Sequence, residues 1–187
     1  MNAGIDEVGR GCIAGAVFTC AVILDPEKPI SGLTDSKKLS PQRRQELAVQ
    51  IKQQSIAWAI GRAEPGEIDR LNILQATLLA MTRAFSMLPC KPGRVLIDGI
   101  HSPKIACQTE TVIKGDLIIP EISAASIVAK VARDDEMQTL DKLYQGYEFS
   151  RHKGYPTKLH LEKIALLGVT EVHRKSYSPV RKILEGF

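Results

Sequence analysis

The chain has 187 residues, of which 44% are hydrophobic and 25% are charged, and this composition is ordinary for a single globular domain. Aromatic residues account for only 5%, which argues against a base-stacking platform, and the formal net charge of +4 favours a polyanionic partner only weakly. The four cysteines form no C-x-x-C pair and no apolar stretch could span a bilayer, so we expect a cytoplasmic protein without a zinc knuckle or membrane association. No interface signature in the sequence suggests more than a monomer.

The first third of the chain contains three strand-like segments. Residues 2–8, 14–24 and 56–63 are rich in apolar and β-branched residues and are bounded by residues that favour turns. Their close succession predicts an antiparallel meander. Between the second and third segments, Ser40 and Pro41 form a helix-start signature, with serine as the N-cap and proline at the first helical position.

The rest of the chain alternates between helical and strand-like patterns. The pattern predicts, in chain order, a helix over 67–88, strands over 94–98 and 109–113, and helices over 124–143, over 157–168 and from residue 178. This order predicts an α/β domain whose mixed sheet has a meander at one edge. Residues 146–156 are the least regular stretch and mark the best candidate for a boundary between a core and a C-terminal lobe.

Asp6 and Glu7 are adjacent carboxylates in an otherwise apolar strand, where acidic residues are depleted. Taken alone, such a pair is better explained by a solvated strand end or turn. Neighbouring side chains on a strand also point to opposite faces. Both residues can therefore serve one site only if Glu7 lies at a strand end or a bulge, an irregularity that Gly9 could supply.

Two further carboxylates lie at the ends of predicted strands. Asp98 ends a probable central strand, Asp116 follows the next strand, and open α/β sheets form their sites at such ends. Both also adjoin a glycine, so ordinary turn aspartates are the alternative interpretation. Clustered carboxylates repel one another unless a positive charge lies between them, and hard divalent cations prefer oxygen ligands. Two such ions could polarise a phosphate, activate water and stabilise a leaving 3′-oxygen.

Seven blocks of the chain resemble, in order, the motifs of the ribonuclease HII family. The blocks are residues 4–11 (GIDEVGRG), 34–39 (TDSKKL), 71–74 (LNIL), 96–99 (LIDG), 114–116 (KGD), 122–130 (ISAASIVAK) with Arg133 and Asp134, and 152–155 (HKGY). One acidic pair is a weak signal, whereas seven ordered blocks over residues 4 to about 181 are specific.

The resemblance implies a ribonuclease H-like α/β fold, a mixed five-stranded sheet flanked by helices, with a small helical C-terminal lobe. In this interpretation residues 1–145 are the catalytic domain, and residues 146–187 complete the substrate groove. The implied activity is endonucleolytic: it hydrolyses the RNA strand of RNA–DNA hybrids and nicks duplex DNA 5′ of embedded ribonucleotides. It leaves a 3′-hydroxyl and a 5′-phosphate, and it implies a role in ribonucleotide removal during DNA replication and repair.

The resemblance also implies roles for residues that match the motifs. The catalytic and metal-binding set is Asp6, Glu7, Asp98 and Asp116. The implied cofactor is Mn²⁺ or Mg²⁺, with two ions when the substrate is bound. The residues implied to recognise the ribonucleotide at the cut site are Gly9, Arg10, Gly11 and Tyr155. Without the resemblance, the glycines would be assigned to a turn and the tyrosine to packing.

Other residues in the matched blocks have two interpretations each. The further predicted substrate contacts are Lys37, Lys38, Lys130, Lys153, Ser123 and Ser126. The lysines, like Arg133, are either phosphate ligands or solvated surface charges, and the serines either approach a phosphate or pack a helix. Asp134 competes with Asp116 for the fourth metal position, although an exposed helix face is the simpler explanation for it. His152 is either a phosphate contact or a loop histidine.

Two other functions are compatible with parts of this pattern. A nucleic-acid-binding module could use the basic residues without cleavage, but it would gain nothing from negative charge clustered where phosphates dock. A transposase-like or resolvase-like nuclease of the same fold is the second alternative. The Gly-Arg-Gly block at residues 9–11 argues against it.

Overall fold

The structure is a computed structural model that describes residues 1–186. Five strands form one mixed sheet of order β3-β2-β1-β4-β5: β1 Asn2–Val8, β2 Val17–Ile23, β3 Ala57–Ala63, β4 Arg94–Asp98 and β5 Gln108–Val112. The α-helices of the described residues are α1 Pro41–Gln54, α2 Pro65–Leu71, α3 Ile73–Ser86, α4 Pro120–Leu143, α5 Phe149–His152, α6 Lys158–Leu167 and α7 Ser178–Leu184. Two short 3-10 helices span Ser36–Lys38 and Gly115–Leu117. The predicted α/β architecture with a mixed five-stranded sheet is confirmed.

Strand β1 lies at the centre of the sheet. It pairs antiparallel with β2, which pairs antiparallel with β3, so the predicted meander is confirmed. On its other side β1 runs parallel to β4, and β4 runs parallel to β5. The last pair between β1 and β4 joins Ile5 to Ile97. Pairing between β1 and β4 therefore ends immediately before Asp6 and Asp98, which lie near the carboxyl ends of these two strands.

Helices cover both faces of the sheet, as the alternation of side chains along β2 requires. Cys20 and Val22 pack with α1 and α4 on one face. Ala21 and Ile23 pack with Met81 of α3 on the other face. Within residues 1–186, none of these helices has the length and apolar character needed to cross a bilayer.

Helix α4 lies in close contact with β1 because Gly4 has no side chain. A Cβ atom at this position would lie 2.1 Å from the carbonyl carbon of Glu121. The helix residues that follow, from Ile122 to Ala129, are buried. The close approach brings the N-terminal half of α4 alongside the strand that carries Asp6.

The sequence-based boundaries are wrong at two helices. The predicted helix over 67–88 is two helices, because Asn72 has a φ of +73° and interrupts the backbone between α2 and α3. The side chain of Asn72 then caps α3 by accepting a hydrogen bond from the Gln75 N–H at 3.1 Å. Helix α4 begins at Pro120 rather than at residue 124, since proline is well suited to the first helical position.

The C-terminal residues from 146 form a small helical lobe. Its apolar centre includes Phe149, Ile164 and Val180, which cluster with Ile13 and Met137 from the rest of the chain. Helix α5 lies within the stretch that the sequence marked as irregular. The lobe and the sheet domain share this apolar cluster, and the division after residue 145 stays a prediction.

Candidate active site

The four predicted carboxylates line one cleft where β1 and β4 end. The cleft is bordered by Asp6, Glu7, Val8, Ser36, Lys37, Asp98, Asp116, Ser126, Lys130 and Tyr155. Its volume is about 170 Å³, below the roughly 300–1,000 Å³ of pockets that enclose a small ligand. A large substrate must therefore lie across this cleft rather than inside it.

Asp6 and Glu7 reach the cleft from opposite faces of β1. Asp6 is paired with Cys20, whose side chain lies on the α4 face, whereas Glu7 is paired with Thr19. Glu7 and Asp98 also border a neighbouring cleft on the α3 side, together with Arg10. Glu7 is the last residue but one of β1, so its position near the strand end allows both carboxylates to line one cleft.

Asp6 is buried at 5% exposure, and its Oδ1 accepts a hydrogen bond from the Glu7 N–H at 2.7 Å. Burial raises the pKa of this carboxyl well above its usual value, and the charges of Glu7 and Asp98 raise it further. The hydroxyl of Ser126 acts in the opposite direction. Full ionisation of Asp6 therefore requires a compensating positive charge.

Glu7 is held on one side and left without a partner on the other. Its Oε1 accepts a hydrogen bond from Arg10 Nη1 at 3.2 Å, whereas its buried Oε2 has no hydrogen-bond partner. Burial raises the pKa of Glu7, and Arg10 opposes this rise. A buried carboxylate oxygen without a partner is costly, so Oε2 is well suited to bind an additional ligand.

Asp98 and Asp116 are connected through the backbone between β5 and α4. Asp98 Oδ1 accepts a hydrogen bond from the Gly115 N–H at 2.7 Å, which fixes the residue next to Asp116. The Ser123 hydroxyl donates to the Asp116 carbonyl at 2.7 Å. The pKa of Asp116 is raised by burial and then by the charge of Asp98, while Lys37 lowers it.

The chemistry of the four cleft carboxylates suits a hard divalent cation. Desolvated carboxylates that raise one another's pKa need positive charge to ionise, and carboxylate oxygens are the ligands that Mg²⁺ and Mn²⁺ prefer. As the side chains stand, no three acidic, histidine or cysteine groups within residues 1–186 converge as a metal site does. Instead, the Glu7 carboxylate is hydrogen-bonded to Arg10, and the Asp98 carboxylate is hydrogen-bonded to the Gly115 N–H. The assignment of the ligand set stays a prediction.

The predicted phosphate ligands differ in their positions. Lys37 and Lys130 border the cleft, and Ser126 does so as well, with its Oγ 3.0 Å from the Oγ of Ser36. Ser123 is buried, and its hydroxyl is used by backbone carbonyls. The exposed Lys38 and the half-buried Lys153 are not among the residues that border the cleft.

Asp134 lies outside the cleft and is not on an exposed helix face. Its two carboxylate oxygens form ion pairs with Lys130 and, at 3.4 Å, with Arg44. Burial lowers the pKa of Lys130, and its bond to Asp134 opposes that change. Asp134 is therefore committed to basic partners, and the expectation of a solvated aspartate is wrong.

The Gly9–Gly11 segment leaves β1 as a turn in which only one glycine is sterically required. Gly9 has a φ of +92°, and a Cβ atom there would lie 2.2 Å from Arg133 Nε. A Cβ atom at Gly11 would meet no atom within 4 Å. The turn itself therefore needs Gly9, whereas the exposed Gly11 leaves open space beside Arg10.

Arg133 is neither a surface charge nor a phosphate ligand, the two roles considered from the sequence. It is fully buried and donates hydrogen bonds to the carbonyls of Ala14 at 3.2 Å, Ala16 at 3.4 Å and Lys153 at 2.8 Å. The Lys153 carbonyl also accepts a bond from Cys12 Sγ at 3.6 Å. Arg133 thereby connects α4 to the segment after Gly11 and to the turn before Tyr155.

Tyr155 borders the cleft with 41% exposure, which leaves part of its ring accessible. Burial of the remainder raises the pKa of its hydroxyl. His152, in the same turn, is buried, with Nε2 2.9 Å from the Tyr147 carbonyl and Nδ1 accepting from the Gly154 N–H at 3.2 Å. His152 is therefore a structural loop histidine, and the phosphate contact considered for it is wrong.

Comparison with known proteins identifies a family and several similar structures. A family model described as Ribonuclease HII matches residues 3–180. The ribonuclease H2 from Pyrococcus horikoshii OT3 is similar with 26% identity and a TM-score of 0.84, covering 99% of this chain and 97% of that one. The RNase HII from Archaeoglobus fulgidus, solved in a complex with PCNA, has 27% identity, a TM-score of 0.78 and 100% coverage of both chains. Bst-RNase HIII, solved with Mn²⁺, shares the fold at 18% identity, with a TM-score of 0.83 over 98% of this chain and 69% of that one.

Proposed function

The chain belongs to the ribonuclease HII family of metal-dependent nucleases, and from this we propose that it nicks duplex DNA 5′ of embedded ribonucleotides as well as cutting the RNA strand of RNA–DNA hybrids. The products are a 3′-hydroxyl and a 5′-phosphate. The corresponding role in the cell, in the cytoplasm, is removal of ribonucleotides during DNA replication and repair. A monomer is sufficient, because one chain carries all the residues proposed below.

One observation carries this proposal: the buried carboxylate of Asp6 and the partly buried carboxylate of Glu7 line the same cleft as Tyr155. A nucleic-acid-binding module would repel phosphates at such a cluster. A nuclease instead uses it to bind cations that offset the charge of the phosphate. The unpartnered Oε2 of Glu7 and the raised pKa of Asp6 both favour a cation at this position.

We assign the metal ligands to Asp6, Glu7, Asp98 and Asp116, with Mn²⁺ or Mg²⁺ as the cation and two ions when substrate is bound. When bound there, the cations supply a Lewis acid for the phosphate, an activated water and stabilisation of the leaving 3′-oxygen. The chain itself contributes orientation. Gly115 fixes Asp98, and Ser123 fixes the backbone of Asp116.

The basic residues at the cleft position the substrate by its phosphates. Lys37 is exposed and lies on the cleft rim, while Lys130 is partly buried and paired with Asp134. Phosphate contacts of this kind fix register without reading sequence. Lys37 is therefore the better candidate for a direct contact, since its ammonium group forms no ion pair within residues 1–186.

Recognition of ribose is assigned to the Gly9–Gly11 segment and to Tyr155. The backbone beside Gly11 can come close to a sugar because no side chain covers it. The exposed part of Tyr155 can stack on the sugar or base and direct its hydroxyl to the 2′-oxygen. Tyr155 borders the acidic cleft from the C-terminal lobe. The Gly9–Gly11 segment directly follows the cleft residues Glu7 and Val8, and its Arg10 borders the neighbouring cleft.

The test is incubation of the purified chain with duplex DNA that contains one ribonucleotide, with Mg²⁺, with Mn²⁺ or with EDTA. We expect scission on the 5′ side of the ribonucleotide with either metal and none with EDTA, and end-labelling should identify the 3′-hydroxyl and 5′-phosphate. An all-DNA duplex of the same sequence is the control. Binding without scission under every metal condition would instead indicate a binding module.

A further inference from the structure

The C-terminal lobe meets the loop after β1 through one short extended segment. The Gly15 N–H donates to the Val172 carbonyl at 2.8 Å, and the Arg174 N–H donates to the Ile13 carbonyl at 2.8 Å, which forms a β-bridge between Ala14 and His173. Consecutive side chains in an extended segment point to opposite sides. His173 and Arg174 are therefore directed away from each other, toward two different parts of the molecule.

Arg174 binds the backbone of the Gly9–Gly11 segment. Its guanidinium donates to the carbonyls of Gly9 at 2.7 Å, Arg10 at 3.0 Å and Gly15 at 3.0 Å. The side chain is fully buried and forms no ion pair with any carboxylate of residues 1–186. A buried charge without a carboxylate is costly. Here the carbonyls compensate for it, and Arg174 fixes the backbone that would face the sugar.

His173 reaches the backbone of Tyr155 through a second histidine. The Thr170 N–H donates to His173 Nδ1 at 3.1 Å, so the proton of this neutral ring lies on Nε2. His173 Nε2 lies 3.2 Å from His160 Nε2 and donates its hydrogen to that nitrogen. The proton of His160 is then on Nδ1, which donates to the Tyr155 carbonyl at 2.9 Å. In these three hydrogen bonds each donor lies on the Thr170 side and each acceptor on the Tyr155 side, so the series ends at the Tyr155 carbonyl.

The environment of the two rings supports their neutral forms. His160 and His173 are buried at 0% and 1% exposure. Burial lowers the pKa of His160 to about 3 and that of His173 to about 4. The groups that face them are all neutral: the imidazole of His152, stacked on His160 at a ring distance of 3.9 Å, the rings of Tyr147 and Phe149, and the Thr170 hydroxyl, 2.9 Å from His173 Nδ1. The order of donors and acceptors is therefore stable at neutral pH.

We propose that His173 and Arg174 are positioning residues that set the Gly9–Gly11 segment and Tyr155 at a fixed separation and thereby determine discrimination for ribose. This inference rests on the proposed function. Neither residue borders the acidic cleft. They act through the backbone of Tyr155, which does border it, and of the Gly9–Gly11 segment, which directly follows the cleft residues Glu7 and Val8. A misplacement of about 1 Å at such elements can reduce a rate by about 100-fold.

Two conservative variants each disrupt one half of this arrangement: H173N the contact to Tyr155, and R174K the contact to the Gly9–Gly11 segment. H173N keeps an acceptor for the Thr170 N–H but loses the donor to His160. R174K keeps the positive charge but replaces three fanned donors to the carbonyls with a single ammonium group. The matched control is Y147F, because the Tyr147 hydroxyl donates to the carbonyls of Leu167 and Gly168 within the same lobe and reaches neither Gly9 nor Tyr155.

The experiment makes three kinds of measurement for each variant. The first is Tm. The second is kcat and KM on duplex DNA with one ribonucleotide. The third is the ratio of Kd for an all-DNA duplex to Kd for the ribonucleotide duplex, measured in EDTA. For H173N and R174K we expect kcat to fall by at least about 10-fold and the Kd ratio to move toward one, with unchanged affinity for all-DNA duplex. Y147F should lower Tm while keeping wild-type kcat and the wild-type ratio.

A combined variant tests whether His173 acts through Tyr155. In the background Y155A, H173N should reduce the Kd ratio no further, since the two changes remove one interaction. Wild-type kcat and a wild-type ratio in both H173N and R174K, at a temperature where they are folded, would overturn the inference. Absence of metal-dependent scission by the wild type would instead overturn the proposed function, so the two failures are distinguishable.

Discussion

The Asp98 carboxylate accepts a hydrogen bond from the Gly115 N–H at 2.7 Å, which joins one candidate metal ligand to the residue immediately before another, Asp116, across a chain separation of 17 residues. Gly115 is buried, and a Cβ atom there would lie 2.5 Å from Ile122 Cδ1 of α4. Strand β4, the loop after β5 and helix α4 therefore meet at one point beside the cleft. The position of Asp116 follows from that contact, since it is the next residue.

Replacement of Asp98 by asparagine should remove activity without removing this contact. The amide oxygen of D98N can still accept from Gly115, so the change is mainly the loss of one negative charge. We expect kcat to fall at least about 100-fold at saturating Mg²⁺, the loss typical when a main electrostatic group is removed. D6N should behave alike. Both should bind an RNA–DNA hybrid with near wild-type Kd and unfold at the same or a higher Tm without metal, because carboxylate repulsion is relieved.

D134N is the matched control for these changes. Asp134 is a partly buried aspartate on α4, but it is paired with Lys130 and Arg44 rather than directed into the cleft. We expect D134N to lower stability and to retain most of the activity. Substantial residual cleavage by both D6N and D98N, or a loss in D134N as large as theirs, would contradict the assignment of the acidic set.

Binding of a divalent cation should become tighter as the pH rises. The folded-state pKa values of Asp6, Glu7 and Asp116 are raised, chiefly by burial. Such groups stabilise the metal-free fold below their unfolded pKa values, and this contribution is lost as the pH rises through the folded ones. A cation binds the ionised forms, so the increase in Tm caused by Mn²⁺ should be larger at pH 8 than at pH 5.5. As a control, Mn²⁺ should raise the Tm of D6N less than that of the wild type. An equal increase in the wild-type Tm at both pH values would contradict this prediction.

The histidines of the C-terminal lobe should destabilise the fold in acid. Their folded-state pKa values, about 3 for His160 and about 4 for His173, lie below the unfolded value near 6.5. Their contribution to stability is therefore present above pH 6.5 and is lost as the pH falls toward these values. Between pH 6.5 and 5 each ring should lower the free energy of unfolding by about 2 kcal/mol. Urea unfolding at pH 6.5 and at pH 5 measures this free energy. Between these two pH values H160Q should lose less stability than the wild type.

The sequence predicted the strands well where strong breakers bound them, as at β1 and β4, and it predicted the cleft carboxylates through the family resemblance. Periodicity did not reveal the break at Asn72, because the apolar spacing continues across it. The two interpretations of Arg133, a solvated surface charge or a phosphate ligand, both miss its burial, and Arg174 gives no sequence signal at all. Their partners are backbone carbonyls distant in sequence, and such contacts produce no local pattern in the sequence.

The two glycines of the Gly9–Gly11 segment should respond differently to substitution. G9A is strained by its φ of +92° and collides with Arg133, so we expect a lower Tm and lower activity. At Gly11 an added Cβ atom would meet no protein atom within 4 Å, so we expect G11V to fold with a Tm close to the wild type. Its side chain would nevertheless occupy the space assigned to the sugar, and cleavage should be severely reduced. Wild-type cleavage by G11V would show that the substrate backbone does not approach this segment.

Tyr155 should matter more for cleavage when the substrate contains few riboses. Tyr155 is 41% exposed at the cleft, and its backbone carbonyl accepts a hydrogen bond from His160 at 2.9 Å, so Y155A removes the ring and leaves that hydrogen bond in place. A duplex with one embedded ribonucleotide offers one chance for recognition, whereas a long RNA–DNA hybrid offers many registers. We therefore expect Y155A to lower kcat/KM on the single-ribonucleotide duplex more than on the hybrid, by about 10-fold or more if the 2′-hydroxyl contact contributes about 1.4 kcal/mol. Y155F separates stacking from hydrogen bonding, because it keeps the ring and removes only the hydroxyl. Equal losses of Y155A on both substrates would mean that Tyr155 supports the cleft generally, and an unchanged kcat/KM on both would remove it from the site.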